Sequence, residues 1–304
     1  MVRRFIVGCF AAVSVAFMVT MPSAAEDLRI GLAAEPSAMD PHFHNLTPNN
    51  ALTSHVYERL VHFDAKHKPI PGLATSWKTI DDKTWEFKLR TGVKWHDGSP
   101  FPADDVIFTM GRAPNVENSP GSFALYVRGK TFSKVDDHTV RVTTKEPYPL
   151  MPNDMATIAI ISQKAATGAK TEDFNSGKAA VGTGPYKFSE FVKGDRYVVV
   201  RNDDHWAGKP KWAKVTIRPI KTGPARVAAL LAGDVDLIEE VPTTDIQRLQ
   251  KEGKVEVSQG LSNRVIYFHI DHWRDETPFI TANDGTAIKN PLKDVRVRKA
   301  LSKA

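Results

Sequence analysis

The sequence contains almost no cysteine, because Cys9 is the only one among its 304 residues. One cysteine cannot form an intramolecular disulfide, and removal of the N-terminal segment would leave the chain with none. A disulfide framework is therefore excluded, and so is a thiol nucleophile in a chain that has lost this segment. The hydrophobic core alone must hold the fold together.

The sequence also lacks the short motifs that mark several enzyme classes. It contains no Gly-x-Ser-x-Gly turn, no phosphate-binding glycine loop and no His-Glu-x-x-His helix. Its basic residues are dispersed, without a basic stripe and interleaved aromatics, so nucleic-acid binding is not indicated. These absences favour a protein without catalytic residues, cofactor or metal, although the 35 acidic residues leave a catalytic carboxylate pair open.

The first 25 residues have the pattern of a secretory signal peptide. Arg3 and Arg4 precede an apolar run over residues 5–21, and small residues then lead to Ala25. The run only just reaches the length of a membrane span and no basic stop follows it, which favours cleavage over anchoring. Cleavage would place the chain in the periplasm with 279 residues (304 − 25) and a net charge of +4 (+6 − 2).

Apolar periodicity predicts a mixed α/β fold without a regular strand-helix repeat. Hairpins are expected at residues 77–90 and 132–142, where apolar and polar side chains alternate around short turns. Further strands are predicted over residues 28–32, 196–201, 214–220 and 263–270. Helices are predicted over residues 49–60, 103–110, 224–232, 244–251 and 295–304, with a capping box from Thr244 to Gln247 and Gly233 as a helix end.

Several short segments punctuate the chain. Trp95-His96-Asp97-Gly98 is interpreted as a buried tryptophan, a turn pair and a glycine with positive φ, rather than as a metal or acid-base site. Residues 182–186 read Gly-Thr-Gly-Pro-Tyr and predict a tight turn. Residues 202–206 read Asn-Asp-Asp-His-Trp, and residues 290–301 run from Asn-Pro-Leu into a basic helix.

In this order and spacing, the segments strongly resemble the large periplasmic solute-binding proteins that serve ABC importers of peptides and nickel, extracellular solute-binding protein family 5. The resemblance implies an α/β, periplasmic-binding-protein-like fold whose two lobes close on a ligand, with an extra domain II. The implied ranges are 26–67 and 183–267 for domain I, 68–182 for domain II and 268–304 for the start of domain III. The second ligand-binding lobe would then be largely missing, with the chain truncated inside domain III.

The resemblance also implies where a ligand would bind, because the first loop and the crossover between the lobes border the family's cleft. The candidate ligand-binding residues are Phe43, His44, Asn45, Tyr126, Asn263 and Arg264. An arginine at the crossover can hold a carboxylate through two parallel hydrogen bonds. The alternative is a metal site, formed by His42 with His44 or by residues 269–272, although the latter would not share one face of a strand.

The expected function is capture of a peptide-like solute and its delivery to a membrane permease. No cofactor, nucleic-acid partner or stable oligomer is expected. Nickel chelates, glutathione-like peptides, opines and oligosaccharides stay open as ligands, since one scaffold can serve many solutes. Two other hypotheses also stay open: a truncated or pseudogene fragment without independent binding activity, and a periplasmic hydrolase.

Overall fold

A computed structural model describes residues 27–260 and 267–304 of the chain. The chain divides into two compact units, a first unit that ends at Val257 and a second unit from Ser258 to Ala304, and each is described by itself. The predicted signal peptide, Asn263 and Arg264 lie outside the described residues. Within the described ranges, no helix combines the length and the apolar character that crossing a bilayer requires.

Strands and helices mix in the first unit without a regular repeat, as the sequence predicts. Its strands are β1 (Leu28–Leu32), β2 (Val61–Phe63), β3 (Pro69–Pro71), β4 (Ala74–Asp81), β5 (Thr84–Leu89), β6 (Lys130–Asp136), β7 (Thr139–Thr144), β8 (Tyr186–Val192), β9 (Arg196–Arg201), β10 (Lys214–Pro219) and β11 (Leu237–Ile238). Its helices are α1 (Thr47–Thr53), α2 (Ala103–Arg112), α3 (Ala124–Val127), α4 (Met151–Met155), α5 (Gln163–Ala166), α6 (Thr171–Asn175), α7 (Gly223–Ala232) and α8 (Thr243–Glu252). A short 3₁₀ helix, Ala113–Asn115, follows α2.

A five-stranded sheet has the order β11-β1-β10-β9-β8, so it joins the start of the first unit to its later part. β1 runs parallel to β10 and β11, and the other neighbours are antiparallel. Tyr197, Val199, Val215 and Ile217 are buried and alternate with more exposed residues along β9 and β10. This alternation gives the sheet one face that packs on the core.

The two predicted hairpins join in a four-stranded antiparallel sheet with the order β4-β5-β7-β6. Phe87 pairs with Val140, and Trp85 pairs with Val142, so the predicted alternation of β5 is confirmed. Phe87 and Val140 are fully buried, whereas Trp85 is half-buried and donates its indole N–H to the Tyr148 carbonyl oxygen, at 3.0 Å. Aromatic and β-branched pairs of this kind fix the register of a sheet.

Glu86 departs from the simple pattern of β5, because this charged residue is buried. Arg141 lies opposite Glu86 on β7 and donates from Nε and Nη2 to one carboxylate oxygen, at 3.0 and 2.9 Å. The arginine supplies the opposite charge, and its aliphatic stem can cover the carboxylate. The alternation suggests that residue 86 is exposed, but a cross-strand ion pair allows Glu86 to be buried.

Two apolar cores fill the first unit. One core packs the four-stranded sheet with residues of α2, and Phe87, Trp95 and Phe123 are among its buried members. The other core belongs to the five-stranded sheet and includes Phe174 of α6 and Met39 of the loop that follows β1. Because Met39 is buried there, this first loop is attached to the core just before the predicted ligand-binding residues.

The first predicted helix is too long, because α1 ends at Thr53. Beyond this point, the carbonyl oxygens of His55 and Val56 accept hydrogen bonds from the N–H groups of Tyr186 and Gly184, at 2.9 Å each. A longer helix would need these carbonyl groups for its own hydrogen bonds. A contact that is distant in the sequence therefore ends α1.

The predicted capping box at the start of α8 is wrong. The helix begins at Thr243, and its N-cap is Pro242, whose side chain makes no capping hydrogen bond. Thr244 consequently lies inside the first turn instead of at the cap. Asp245 pairs with Arg248 at 2.8 Å and places a negative charge near the helix N-terminus, which the helix dipole favours.

The second unit contains the hairpin β12 (Glu276–Thr281) and β13 (Ala287–Lys289), the 3₁₀ helix Pro291–Lys293 and α9 (Val295–Leu301). Asn290 is buried and donates to the carbonyl oxygens of Asp271 and Arg274, at 2.7 and 3.0 Å. These bonds tie the segment before β12 to the end of β13. Of the strand predicted over 263–270, residues 267–270 are not in a strand, and the remainder lies outside the described residues.

Candidate functional site

The first loop is anchored by a buried ion pair between Asp40 and Arg112, the last residue of α2. Arg112 donates from Nη1 and Nη2 to the two carboxylate oxygens of Asp40, at 3.0 and 2.6 Å. Burial raises the pKa of Asp40, but the hydrogen bonds and charge of Arg112 outweigh it and hold that pKa below its ordinary value. The pair therefore stays ionised and fixes the loop to α2.

His42 extends this buried network and has no free ring nitrogen. Arg112 donates to Nδ1 at 3.1 Å, so Nε2 carries the proton and donates to the Ala159 carbonyl oxygen at 2.7 Å. Burial lowers the pKa of His42 to about 4, which keeps the ring neutral at neutral pH. His42 is thus a structural residue, and the geometry does not favour the alternative of a metal shared with His44. Within the described ranges, no group of three His, Cys, Asp or Glu residues could hold a metal ion.

Two of the predicted ligand-binding residues contact each other although they are distant in the sequence. The Asn45 side-chain amide donates to the Tyr126 hydroxyl at 3.0 Å, and the Asn45 backbone N–H donates to the Gly121 carbonyl oxygen at 3.2 Å. Asn50 of α1 donates to the Asn45 side-chain oxygen at 3.0 Å. Asn45 and Tyr126 are both half-buried, and we call these two residues the Asn45–Tyr126 pair.

His44 lies beside this pair and packs closely on Gly121. The two residues form an isolated parallel β-bridge, and a Cβ atom added to Gly121 would lie 2.8 Å from Cδ2 of His44. His44 Nδ1 is 3.4 Å from the Ser37 hydroxyl. A side chain at position 121 would push the imidazole away, so glycine here allows His44 to lie this close to residue 121.

Phe43 lies in a different environment from the Asn45–Tyr126 pair. It lines a cavity of about 650 Å³ together with residues from the end of α2 and the start of α6. The Ser119 hydroxyl donates to the Phe43 carbonyl oxygen at 2.6 Å and holds the loop in place. The structure therefore brings His44, Asn45 and Tyr126 together and assigns Phe43 to a separate cavity, while Asn263 and Arg264 lie outside the described residues.

Sequence reasoning missed Asn50, Arg112 and Gly121 as parts of this arrangement. Their signals were weak, because an asparagine in a helix, an arginine at a helix end and a glycine in a loop are all common. Arg112 gives the clearest signal, since a basic residue in the last turn often reaches neighbouring groups. Its partner Asp40, however, is 72 residues away in the sequence.

The Trp95-His96-Asp97-Gly98 segment is structural, as predicted. The Trp95 indole N–H donates to the Asp105 carboxylate at 2.8 Å, and Gly98 has a φ of 83°. His96 Nδ1 accepts from the Gly182 N–H at 3.2 Å, so Nε2 carries the proton, which it donates to the Gly184 carbonyl oxygen at 2.9 Å. Burial lowers the pKa of His96 to about 4. The neutral ring thereby joins this segment to the predicted turn at residues 182–186.

The chemistry of the Asn45–Tyr126 pair suits noncovalent recognition. An amide and a phenol offer both donors and acceptors without a net charge. Neither group acts as a nucleophile at neutral pH without an activating base. The pair can therefore bind polar atoms of a solute, and its hydrogen bonds within residues 27–260 and 267–304 include no activating base.

Comparison with known proteins places the chain in a family. The family model described as bacterial extracellular solute-binding proteins, family 5 Middle, matches residues 68–304. A probable D,D-dipeptide-binding periplasmic protein of Escherichia coli K12 is 29% identical over 288 residues, which cover 90% of this chain and 52% of that relative. A glutathione-binding protein of Pectobacterium atrosepticum is 30% identical over 306 residues, which cover 99% of this chain and 58% of the relative.

A solved structure agrees with these relatives. The murein tripeptide binding protein of Escherichia coli superposes with a TM-score of 0.68 and 27% identity, over 75% of this chain and 49% of that one. Such neighbours are two-lobed periplasmic binding proteins, which confirms the predicted fold class, and the chain spans about half the length of the relatives that it matches. Because the family match covers most of the sequence, the chain belongs to the bacterial extracellular solute-binding proteins of family 5.

Proposed function

We propose that this chain captures a peptide-like solute in the periplasm and delivers it to the membrane permease of an ABC importer. One observation carries the proposal: the names of similar proteins describe binding of a D,D-dipeptide, a murein tripeptide and glutathione. The chain spans about half the length of these proteins. The proposal for the described residues is therefore that they supply one wall of the binding site.

The Asn45–Tyr126 pair has the hydrogen-bonding capacity that a peptide backbone requires. Among the described residues, only Tyr126 accepts from the Asn45 amide and only Asn50 donates to its oxygen, which leaves one N–H and one lone pair for a solute. Tyr126 accepts from Asn45, and its own O–H has no acceptor within residues 27–260 and 267–304. The pair can thus donate to a peptide carbonyl and accept from a peptide N–H.

The other predicted ligand-binding residues would contribute less than the Asn45–Tyr126 pair. His44 would support the pair from the side, because the absence of a side chain at Gly121 lets its ring pack there. Asn263 and Arg264 would contribute from the crossover, where the arginine could hold a solute carboxylate through two parallel hydrogen bonds. Phe43 is not assigned to this wall, since it lines a separate cavity.

In the proposed mechanism, binding is noncovalent and uses no cofactor. In the whole protein, two lobes would close around the solute by a hinge motion, with the described residues in one wall, and the closed form would dock on the permease. The protein acts as a monomer and returns its ligand chemically unchanged. The neutral wall recognises the peptide group, whereas charged ends of a solute would require partners elsewhere.

Retention of peptides by the purified chain tests the proposal. In native mass spectrometry against an equimolar library of dipeptides and tripeptides, the chain should retain a peptide only weakly, because the described residues supply one wall of the site. Each hydrogen bond from the pair contributes about 0.5–1.5 kcal/mol, so Tyr126→Phe should weaken binding about two- to tenfold, and Asn45→Ala should weaken it at least as much. Leu125→Ala is the matched control, because this neighbour of Tyr126 is 76% exposed.

The control variant should bind like the unaltered chain. Failure to retain any peptide would reject peptide capture by this chain and would favour the alternative of a fragment without independent binding activity. Unchanged affinity in both Tyr126→Phe and Asn45→Ala would instead reject the assigned wall while leaving peptide capture intact.

A further inference from the structure

Arg112 has a second edge of hydrogen-bond donors that the Asp40 pair does not use. A guanidinium carries five N–H donors. Nη1 donates to Asp40 and to His42, and Nη2 donates once to Asp40. Among the described residues, nothing accepts from Nε or from the second N–H of Nη2. These two donors lie side by side in the plane of the guanidinium and have the spacing that a carboxylate requires.

The Asp40 carboxylate has hydrogen-bond donors besides Arg112. The same carboxylate also accepts from the Thr171 hydroxyl at 3.0 Å and from the His42 backbone N–H at 3.0 Å. Thr171 and His42 therefore help to hold the carboxylate in place beside Arg112. The guanidinium also lies over the ring of Phe174, 4.6 Å from its centroid, and 13% of the Arg112 side chain remains exposed. Arg112 is therefore a partly accessible guanidinium with two donors that no described residue uses.

A cavity of about 650 Å³, which Phe43 also lines, lies next to Arg112. Arg112 is one of the lining residues, and Phe43 and Phe108 contribute aromatic surface. Ligand sites of this size commonly combine apolar walls with a few well-placed polar groups. Lys170, Glu117 and Glu172 also line the cavity, but they are exposed, so solvent and salt screen their charges.

We propose that this cavity is a second binding site, for a small monocarboxylate with a flat apolar body. The carboxylate accepts two parallel hydrogen bonds from Nε and Nη2 of Arg112. The body of the ligand packs on Phe43 and Phe108. Neither Asn45 nor Tyr126 lines this cavity, so the site is separate from the proposed peptide wall.

Gly111 allows a test that leaves the buried network intact. It lies in α2 and lines the cavity, and a Cβ atom added there would meet nothing within 4 Å. Gly111→Leu should therefore fill part of the cavity, because its side chain begins in open space. Gly111→Ala is the matched control, because it makes the same backbone change and leaves most of the space open.

The probes are phenylacetate and its uncharged analogue phenylacetamide, measured by saturation-transfer NMR and by thermal unfolding of the full chain. Phenylacetate should bind the unaltered chain and Gly111→Ala at millimolar concentration, and phenylacetamide should not. Gly111→Leu should weaken phenylacetate binding about tenfold or more. Without ligand, both variants should unfold at or above the temperature of the unaltered chain, which shows that they are folded.

Three results would overturn the second site: no phenylacetate binding at millimolar concentration, equal binding of phenylacetamide, or unchanged phenylacetate binding in folded Gly111→Leu. None of them bears on peptide retention, which depends on other residues. Conversely, failure of peptide retention would leave the phenylacetate result intact.

Discussion

Replacement of His96 tests whether one buried histidine stabilises the first unit by joining distant segments. In His96→Ala, the Gly182 N–H loses its acceptor. The Gly184 carbonyl oxygen loses the ring but keeps a hydrogen bond from Asn202 Nδ2, at 3.1 Å. Both glycines are buried, so water does not readily replace the lost groups. The loss of stability should therefore come mainly from one unpaired backbone donor, the Gly182 N–H.

The size of the effect follows from these contacts. An unpaired buried donor costs about 1–3 kcal/mol, and the loss of the packed ring adds about 1 kcal/mol. We expect His96→Ala to lower the free energy of unfolding by about 2–4 kcal/mol. His96→Asn should recover about half of this loss, because its side-chain oxygen can take the place of Nδ1. His96→Gln should recover less, because its oxygen falls nearer to Nε2.

Urea unfolding at neutral pH, followed by circular dichroism, measures these differences. The comparison of His96→Asn with His96→Gln tests the role of Nδ1 most directly. Both variants remove the ring, and only the asparagine variant restores the acceptor. A loss below about 0.5 kcal/mol in His96→Ala would show that the contact is energetically unimportant. Equal stability of the asparagine and glutamine variants would refute the assignment of Nδ1 as the essential acceptor.

The pH dependence of stability provides a second test of the same residue. Burial lowers the pKa of His96 and of His42 to about 4 in the folded chain, against an ordinary value of 6.5. Between these values the unfolded chain binds more protons than the folded chain, so the stabilisation is complete above pH 6.5 and is lost as pH falls towards 4. Each histidine contributes at most about 3 kcal/mol. His96→Asn should show a shallower loss over this range, and an unchanged slope would contradict the lowered pKa.

Other predictions concern packing and export. Trp85→Ala should destabilise the chain by about 2–4 kcal/mol, whereas Lys88→Ala should stay within about 0.5 kcal/mol, and equal losses in urea unfolding would show that the register of β5 is wrong. Gly182→Ala should prevent stable folding, because its Cβ would lie 1.7 Å from a backbone oxygen, whereas Gly111→Ala meets open space; similar thermal unfolding of the two variants would contradict this close approach. N-terminal sequencing of the exported protein should begin at Glu26 or one residue earlier, and retention of Met1 in a membrane fraction would refute signal cleavage.

Local patterns predicted much of the fold. The strict alternation around Trp85 and Phe87 located β5, and its turn followed from polar residues between two apolar runs. Gly233 was correctly predicted as the end of α7, and its φ of 77° explains the choice of glycine. Each of these features depends on residues that are neighbours in the sequence, so no distant information was necessary.

Features set by distant contacts were not predictable in the same way. The end of α1 depends on the hydrogen bonds that His55 and Val56 make with the segment at 184–186, and apolar periodicity continues past that point. The predicted start of α8 was wrong for a different reason, since a capping box is a common pattern and the observed N-cap, Pro242, lies two residues before Thr244. Local patterns compete with tertiary contacts, and here the contacts decided the boundaries.

In the candidate site, too, individual residues were predictable from the sequence, whereas the contacts between distant residues were not. Asn45 and Tyr126 were individual candidates through the family resemblance, but their mutual hydrogen bond joins residues 81 positions apart. The donor edge of Arg112 was not predicted at all, because it depends on which N–H groups Asp40 and His42 occupy. Such details require side-chain geometry, which the order of residues does not specify.

The central claim is that the chain binds a peptide and releases it unchanged. Calorimetry with a peptide identified from the library, followed by mass spectrometry of the recovered peptide, tests this claim most directly. The account predicts saturable one-to-one binding, weaker binding in Tyr126→Phe, unaltered binding in Leu125→Ala and complete recovery of intact peptide. Absence of heat of binding, or recovery of hydrolysed peptide, would contradict it.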